Sequence, residues 1–513
     1  MKNSSRKDFL ETQMTREDSR QEIVELLAAH EEWLLIEPAS GKSFALRRDE
    51  TELVFEREKL LFGFLDERGF QTWRIESWKS EKGKIHFDLT RNFARENKKI
   101  ELVPRVLTAE LTDSIELARI EKANKIAALI VAHEPKAKLV RVNLNQESGR
   151  CAQIIFEIFR GKQVAALADV SGEAAPPEKL LTSGILWLEK LRNRKKNAVE
   201  TIWILAEKKT AKDLRKLRAL LQKNWQSKIK IFEILLNEES NGKLRMTNDE
   251  LRFDDLWREK PKKIQAVRSL ELTETAQKII ELAPDEIDVI FTKHGETLRY
   301  LGLPFARVRK IFGEEKAWFG TETRRQILSE KTDDEFLKLI ENLKIYRRAD
   351  SPNKRHAFYQ LAPESWLEAI LRRNIRRLDA NLILSPIHNQ FRVSADKIDL
   401  LALRRDGRLA VVELKTSADR EMLFQAADYW RKVELQRRAG NLQKAKIFGD
   451  AETADEPALI YLVAPTLSFH RDLDFLARAV SPEIEIARFC LNENWRADLR
   501  VMKREELAAN LRR

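Results

Sequence analysis

A chain of 513 residues is too long for one ordinary core, and at ~100–200 residues per domain it divides into three or four units. Its 43% hydrophobic content excludes a disordered chain, and its 16 glycines and 14 prolines exclude long linkers or low-complexity tracts. The net charge of +12 admits nucleic acid as a partner, because clustered cations displace condensed counterions, although most of the 94 basic side chains are solvated surface.

No apolar run reaches the ~18 residues of a membrane span, so no membrane partner is expected. The opening Met1-Lys2-Asn3-Ser4-Ser5-Arg6-Lys7-Asp8 has no apolar stretch after its basic residues, which is unlike a secretory signal and points to the cytoplasm. Cys151 and Cys490 lie far apart without a spaced Cys or His partner, so they read as small buried residues rather than zinc ligands or a disulfide.

Residues 1–104 form an expected α+β domain: a helix over 21–30, then strands at 33–36, 51–55 and 85–89, with a turn at Ser40-Gly41. Residues 105–240 alternate helix and strand. Helices are expected at 117–131, after Gly184 and at 211–223, with strands at 137–142, 152–159, 202–206 and 229–234. The alternation admits a decayed relative of the C-terminal fold described below, but no motif carries that likeness. Lys212, Arg215, Lys216 and Arg218 give the 211–223 helix a basic face, read first as solvated surface and second as a phosphate contact.

Residues 241–360 are a connector and a small α+β domain. A basic stretch over 258–263 leads to a helix at 275–282, a hairpin over 287–300 and a helix at 335–343, an arrangement that admits a winged-helix-like reader.

Chemistry concentrates in 361–513. A helix over 364–378 turns Trp366, Leu367, Ile370, Leu371 and Ile375 inward and carries Arg372, Arg373, Arg376 and Arg377 as a basic stripe, a candidate DNA contact. After a strand near 382–387, two apolar runs flank Arg405-Asp406-Gly407, a favoured three-residue hairpin loop with glycine in the left-handed position. That turn sets Arg404 opposite Arg408, Leu400 opposite Val412 and Asp399 opposite Glu413. Opposed residues share a sheet face with Cβ atoms ~5 Å apart, and alternation puts Lys415 on the same face.

Two carboxylates at the end of greasy strands repel each other, and their burial is costly unless a cation compensates. Asp399, Glu413 and the backbone carbonyl of Leu414 are hard oxygen ligands suited to Mg²⁺ or Mn²⁺. Such a metal lowers the pKa of bound water and neutralises a phosphate, with Lys415 orienting the attacking hydroxide or stabilising developing charge. Ser417 caps a helix expected over 419–438, on which Gln425 and Tyr429 share one face. A strand over 457–465, a helix over 470–480 and a final strand at 484–489 complete the domain.

An acid on the leading helix, then Asp399, then Glu413-Leu414-Lys415, then Gln425-x-x-x-Tyr429 resembles the PD-(D/E)xK nuclease superfamily. The Gln-x-x-x-Tyr pair is similar to its RecB-like branch, and the 14-residue interval from Asp399 to Glu413 is similar to NucS/EndoMS-type endonucleases. The resemblance covers roughly the last 150 residues. It implies a restriction-endonuclease-like αβββαβ core, Mg²⁺ (or Mn²⁺) on Asp399 and Glu413, a catalytic Lys415, and Gln425 and Tyr429 shaping the DNA side. The family's helix acid falls on Glu364 or Glu368, with Glu368 preferred. No proline precedes Asp399, where Lys397-Ile398 stands instead.

The expectation is an α/β multidomain, metal-dependent deoxyribonuclease whose upstream domains bind nucleic acid, a protein partner or a second copy. Its alternatives are a non-catalytic DNA-binding or scaffold protein that keeps the nuclease fold, and an RNA nuclease. His388 and His470 read as structural or surface residues, with His388 a candidate for touching substrate; Trp366 and Trp430 read as core.

Overall fold

The computed structural model describes residues 19–38, 42–56, 59–66, 69–81, 83–91, 96–104, 108–145, 150–158, 161–171, 175–194, 198–237, 240–246, 251–261, 271–292, 295–311, 314–321, 326–384 and 399–507. His388, Lys397-Ile398 and the Ser40-Gly41 turn lie outside them. The protein is mixed α/β with several sheets. It divides into two compact units, Met1–Leu214 with Lys228–Asn248 and Arg215–Ser227 with Asp249–Arg513.

In the first unit, helix α1 (19–28) precedes seven antiparallel strands: β1 (Glu32–Glu37), β2 (Lys42–Arg47), β3 (Thr51–Glu56), β4 (Lys59–Asp66), β5 (Gly69–Glu81), β6 (Lys84–Arg91) and β7 (Glu96–Pro104). They lie in the order β2-β1-β7-β6-β5-β4-β3. β6 shows why: Ile85, Phe87 and Leu89 alternate with polar residues and point into one core with Trp33, Phe62 and Phe64. The sheet holds more strands than the three expected; β4, for one, carries the apolar run Leu60-Leu61-Phe62-Gly63-Phe64-Leu65, which blurs the period-two signal.

The same unit continues with α2 (Thr108–His133), β8 (Lys138–Leu144), β9 (Cys151–Ile158), β10 (Lys162–Asp169), α3 (Pro177–Arg192) and β11 (Ile202–Glu207). After α4 (Lys208–Ala219) and α5 (Lys223–Gln226), β12 (Ile229–Asn237) and β13 (Ser240–Met246) finish a six-stranded sheet ordered β13-β12-β11-β10-β9-β8. On the basic helix, Lys216 pairs with Glu259 at 2.8 Å and Arg218 donates to the Gln226 carbonyl, so these two cations are engaged within the protein.

The second unit carries α6 (Glu274–Glu281) and a five-stranded antiparallel meander: β14 (Ile287–Thr292), β15 (Gly295–Tyr300), β16 (Leu303–Ile311), β17 (Glu314–Phe319) and β18 (Gln326–Ile327). This sheet is larger than the strand pair of a winged helix. Then come α7 (Asp333–Tyr346), α8 (Ala357–Gln360) and α9 (Pro363–Arg373), followed by β19 (Leu382–Leu384), β20 (Leu400–Arg404) and β21 (Leu409–Leu414). α10 (Met422–Arg438) and α11 (Asn441–Lys444) lead to β22 (Leu459–Pro465), α12 (Leu473–Ala477), β23 (Ile486–Leu491) and β24 (Val501–Glu506). These six strands stand in sequential order. The antiparallel β24, which pairs with β23, extends the sheet past the strand expected to be last.

Proline at the first turn starts α9, and the helix stops at Asn374, whose φ of −151° leaves the helical region. The expected single helix over 364–378 is therefore a helix and a separate 3₁₀ turn, Ile375–Arg377. Trp366, Leu367 and Leu371 enter a core with Leu400, Val412, Tyr461 and Phe489. The start of α9 is clamped onto the meander. Arg347, fully buried, donates to the backbone carbonyls of Tyr300 at 2.9 Å, Phe358 at 2.8 Å and Leu361 at 2.7 Å. Gly302, at φ +80°, lies so close that a Cβ there would sit 1.9 Å from the Ser365 carbonyl oxygen.

Candidate active site

The β20–β21 hairpin has the register its turn dictates. Leu400 pairs with Val412 and Leu403 with Leu409, while Gly407 adopts φ +84° in the loop. The step before Leu400 places Asp399 across from Glu413. Its Oδ2 accepts the Leu414 backbone N–H at 2.9 Å, closing the ladder where β20 begins. In extended backbone a residue's N–H and C=O point to the same strand edge, so the Leu414 carbonyl faces the Asp399 side.

Glu413 is 3% exposed, on a strand buried at every position. Lys415 Nζ sits 3.1 Å from its Oε1 and 3.5 Å from Asp419 Oδ2. Glu413 Oε2 is buried and has no hydrogen-bond partner among the described residues. Burial, and after it the Asp399 charge, raises the Glu413 proton affinity well above the usual carboxylate range, against the pull of Lys415. For Lys415 burial opposes the charge, but Glu413, Glu364 and Asp419 outweigh it and hold its proton affinity above the ordinary lysine range.

Of the two acids on α9, Glu364 is the one whose charge bears on both Glu413 and Lys415. Glu368, the preferred choice from sequence, is committed elsewhere. It is 1% exposed and lies 2.5 Å from Arg372 and 3.5 Å from Arg299. Arg299, on β15, also pairs with Asp288 through two 2.7 Å bonds. The arginine stripe divides: Arg372 belongs to a buried ion cluster, while Arg373, Arg376 and Arg377 are exposed. Sequence reading missed Asp419, four residues after Lys415 and within its reach, and Arg299, for which no local signal exists.

Gln425 and Tyr429 stand one turn apart on α10, which packs on β21 and β22, and both are half-buried. The Gln425 Oε1 is buried without a hydrogen-bond partner among the described residues. Lys432 Nζ lies 5.6 Å from the centroid of the Tyr429 ring. His470 sits beside Arg420 and Asp472, and Trp366 and Trp430 are core residues. Cys151 and Cys490 are buried free thiols. Among the described residues no three His, Cys, Asp or Glu side chains cluster as metal ligands, and no helix is long and apolar enough to cross a membrane.

The donor set nevertheless fits a hard divalent cation. Mg²⁺ is commonly held by only one or two carboxylates, with water and substrate phosphate completing its shell. Asp399 and Glu413 supply two such carboxylates, one with an oxygen left over.

No model of a known protein family matches the sequence, and no curated protein matches it. Among solved structures, "Structure of EndoMS in apo form" matches at 13% identity over 38% of this chain and 89% of that chain, with a TM-score of 0.14. A similarity this slight assigns neither fold nor activity to this chain.

Proposed function

We propose that the C-terminal module is a nuclease of restriction-endonuclease-like fold that hydrolyses DNA phosphodiester bonds with a divalent metal, Mg²⁺ or Mn²⁺. The observation that carries this reading is a buried carboxylate with one oxygen on Lys415, the other unpartnered among the described residues, and a second carboxylate opposite it. Stability alone does not select such a group. The succession of α9, three antiparallel strands, α10 and a parallel β22 supports the reading, because it sets both acids and the lysine at one end of the sheet.

Asp399, Glu413 and the Leu414 carbonyl would hold the cation, which when bound activates water and offsets phosphate charge. The chain's own residues do the rest. The Leu414 N–H fixes the Asp399 carboxylate at the hairpin mouth. Lys415, kept charged by Glu413, Glu364 and Asp419, presents a cation where charge builds on the phosphorus oxygens. Arg373, the last residue of α9, and Arg376 and Arg377 in the turn after it are exposed and offer contacts to the strand's backbone.

The test is cleavage of labelled single-stranded, double-stranded and forked DNA, and of RNA, with Mg²⁺, Mn²⁺ or EDTA, for wild type, Asp399→Ala and Lys415→Ala. Metal-dependent cutting lost in both variants supports the reading. DNA bound equally well in EDTA and never cut replaces it with a binding scaffold.

A further inference from the structure

Lys415 makes the last ladder bond at the end of β21, its N–H donating to the Val463 carbonyl at 3.0 Å, and beyond it the chain leaves the sheet for α10. Its side chain is a compact charge on a long flexible stem, so a residue that acts through that charge needs the ammonium held. Glu413 holds it at 3.1 Å, but Glu413 is also a carboxylate that the nuclease reading assigns to the cation. With a cation there, Lys415 shares its nearer acid with a like charge and is repelled from it.

Another carboxylate must then keep the ammonium in place. Asp399 serves the same cation. Glu364 bears on Lys415 by its charge, without an ion pair to it among the described residues. Asp419 is the acid that remains: its Oδ2 lies 3.5 Å from Lys415 Nζ, and it is not one of the expected cation ligands.

The loop fixes this carboxylate. Asp419 Oδ1 accepts the Glu421 N–H at 2.6 Å, a local turn that aspartate favours. Before it, the Thr416 carbonyl accepts the Ser468 hydroxyl at 3.0 Å. After it, Arg420 Nε donates to His470 Nε2 at 3.1 Å. Ser468 and His470 both stand in the segment that follows β22, so that segment grips the Asp419 loop on either flank. With one oxygen bound to an amide, the other is set toward the ammonium. A partly exposed pair of this kind contributes little stability, so its value lies in where it holds the charge.

We propose that Asp419 is a positioning residue for Lys415, keeping the ammonium in place while Glu413 serves the cation. Its consequence for catalysis rests on the nuclease reading above; the hold on Lys415 rests on the ion pair and the pinned loop.

Asp419→Asn is the decisive variant, because its amide oxygen still accepts the Glu421 N–H while the charge that holds Lys415 is gone. Two readouts are taken on the full chain in saturating Mg²⁺. The first is the rate at which acetic anhydride labels Lys415, followed by mass spectrometry against the other lysines. Asp419→Asn should raise it about 3–5-fold, the scale of one partly exposed ion pair. Asp419→Glu keeps the charge and should restore most of the protection. In EDTA, where Glu413 alone suffices, Asp419→Asn should change labelling by less than about twofold.

The second readout is cleavage of one DNA substrate. Asp419→Asn should lower kcat about 10-fold, with KM and metal affinity within about twofold of wild type. In a Lys415→Ala background it should lower the single-turnover rate by less than about twofold, since nothing is left to position. Lys415 labelling that Asp419→Asn leaves unchanged in Mg²⁺ overturns the inference. So does a loss of rate that is equal with and without Lys415. Faster labelling in a protein that cuts nothing with any metal sinks the nuclease reading alone; cutting that needs Asp399 and Lys415 but not Asp419 sinks this one alone.

Discussion

Lys415 Nζ lies 3.1 Å from one oxygen of Glu413, while the other oxygen of that buried carboxylate has no hydrogen-bond partner among the described residues. The lysine offsets only part of the charge that Asp399 and Glu413 bring together, so in the metal-free protein this pair is a source of instability. Glu413→Gln should therefore abolish cleavage yet unfold no earlier than wild type in EDTA.

The same substitution has a pH signature. The folded state raises the Glu413 proton affinity, so this carboxyl contributes stability that is whole below its unfolded pKa of ~4.3 and is lost as pH rises through the higher folded value. Relative to Glu413→Gln, metal-free wild type should lose stability as pH climbs from ~4.3 toward neutrality. Denaturant midpoints in EDTA across a pH series measure the difference; parallel curves for the two proteins would contradict it.

Lys415 is held charged among three carboxylates, which suits a residue that meets phosphate charge. Lys415→Ala should lower kcat by about 10²–10³, the usual loss for a donor that acts on a developing oxyanion. Its DNA affinity in EDTA should fall no more than about threefold, since one phosphate contact at most is removed. Lys415→Arg keeps the charge but replaces a compact ammonium with a planar fork, and should not restore the rate. A variant whose kcat stays near wild type would remove Lys415 from the chemistry.

Glu364 and Glu368 are one helical turn apart, and their substitutions should separate function from stability. Glu368→Gln removes the carboxylate that both buried arginines, Arg299 and Arg372, pair with, and breaking a buried pair in this way costs about 3–5 kcal/mol. Glu364→Gln should change stability by less than about 0.5 kcal/mol, while lowering metal affinity or rate about 10-fold or more. Chemical denaturation and metal titration together decide the matter. The reverse pattern would return the acid's role to Glu368.

That exchange of roles shows where local pattern stops being informative. The hairpin was legible because Arg405-Asp406-Gly407 fixes its own register, with Gly407 supplying the positive φ. The helix acid was not, because Glu364 and Glu368 share a face and the choice between them is made by Arg299, which arrives from the distant β15. The break at Asn374 was hidden by Ile375, which keeps the apolar spacing of α9 although it sits in a separate turn.

Asp169, at the end of β10, and Glu413 should answer mutation in opposite ways. Asp169 accepts three hydrogen bonds from its own loop, so Asp169→Ala removes that acceptor from the Ala175 amide and the Ser171 hydroxyl, while the Ser171 amide keeps the Arg150 carbonyl at 3.2 Å. At ~1–3 kcal/mol for a buried donor left unsatisfied, the variant should unfold measurably earlier, while each folded molecule cuts DNA at the wild-type rate. Glu413→Ala should do the converse, keeping stability in EDTA within about 1 kcal/mol of wild type because it also removes the repulsion with Asp399, and losing cleavage. Thermal melts in EDTA beside single-turnover cleavage of one DNA substrate measure both quantities. If Asp169→Ala loses cleavage while remaining as stable as wild type, the sheet that carries β10 takes part in the chemistry.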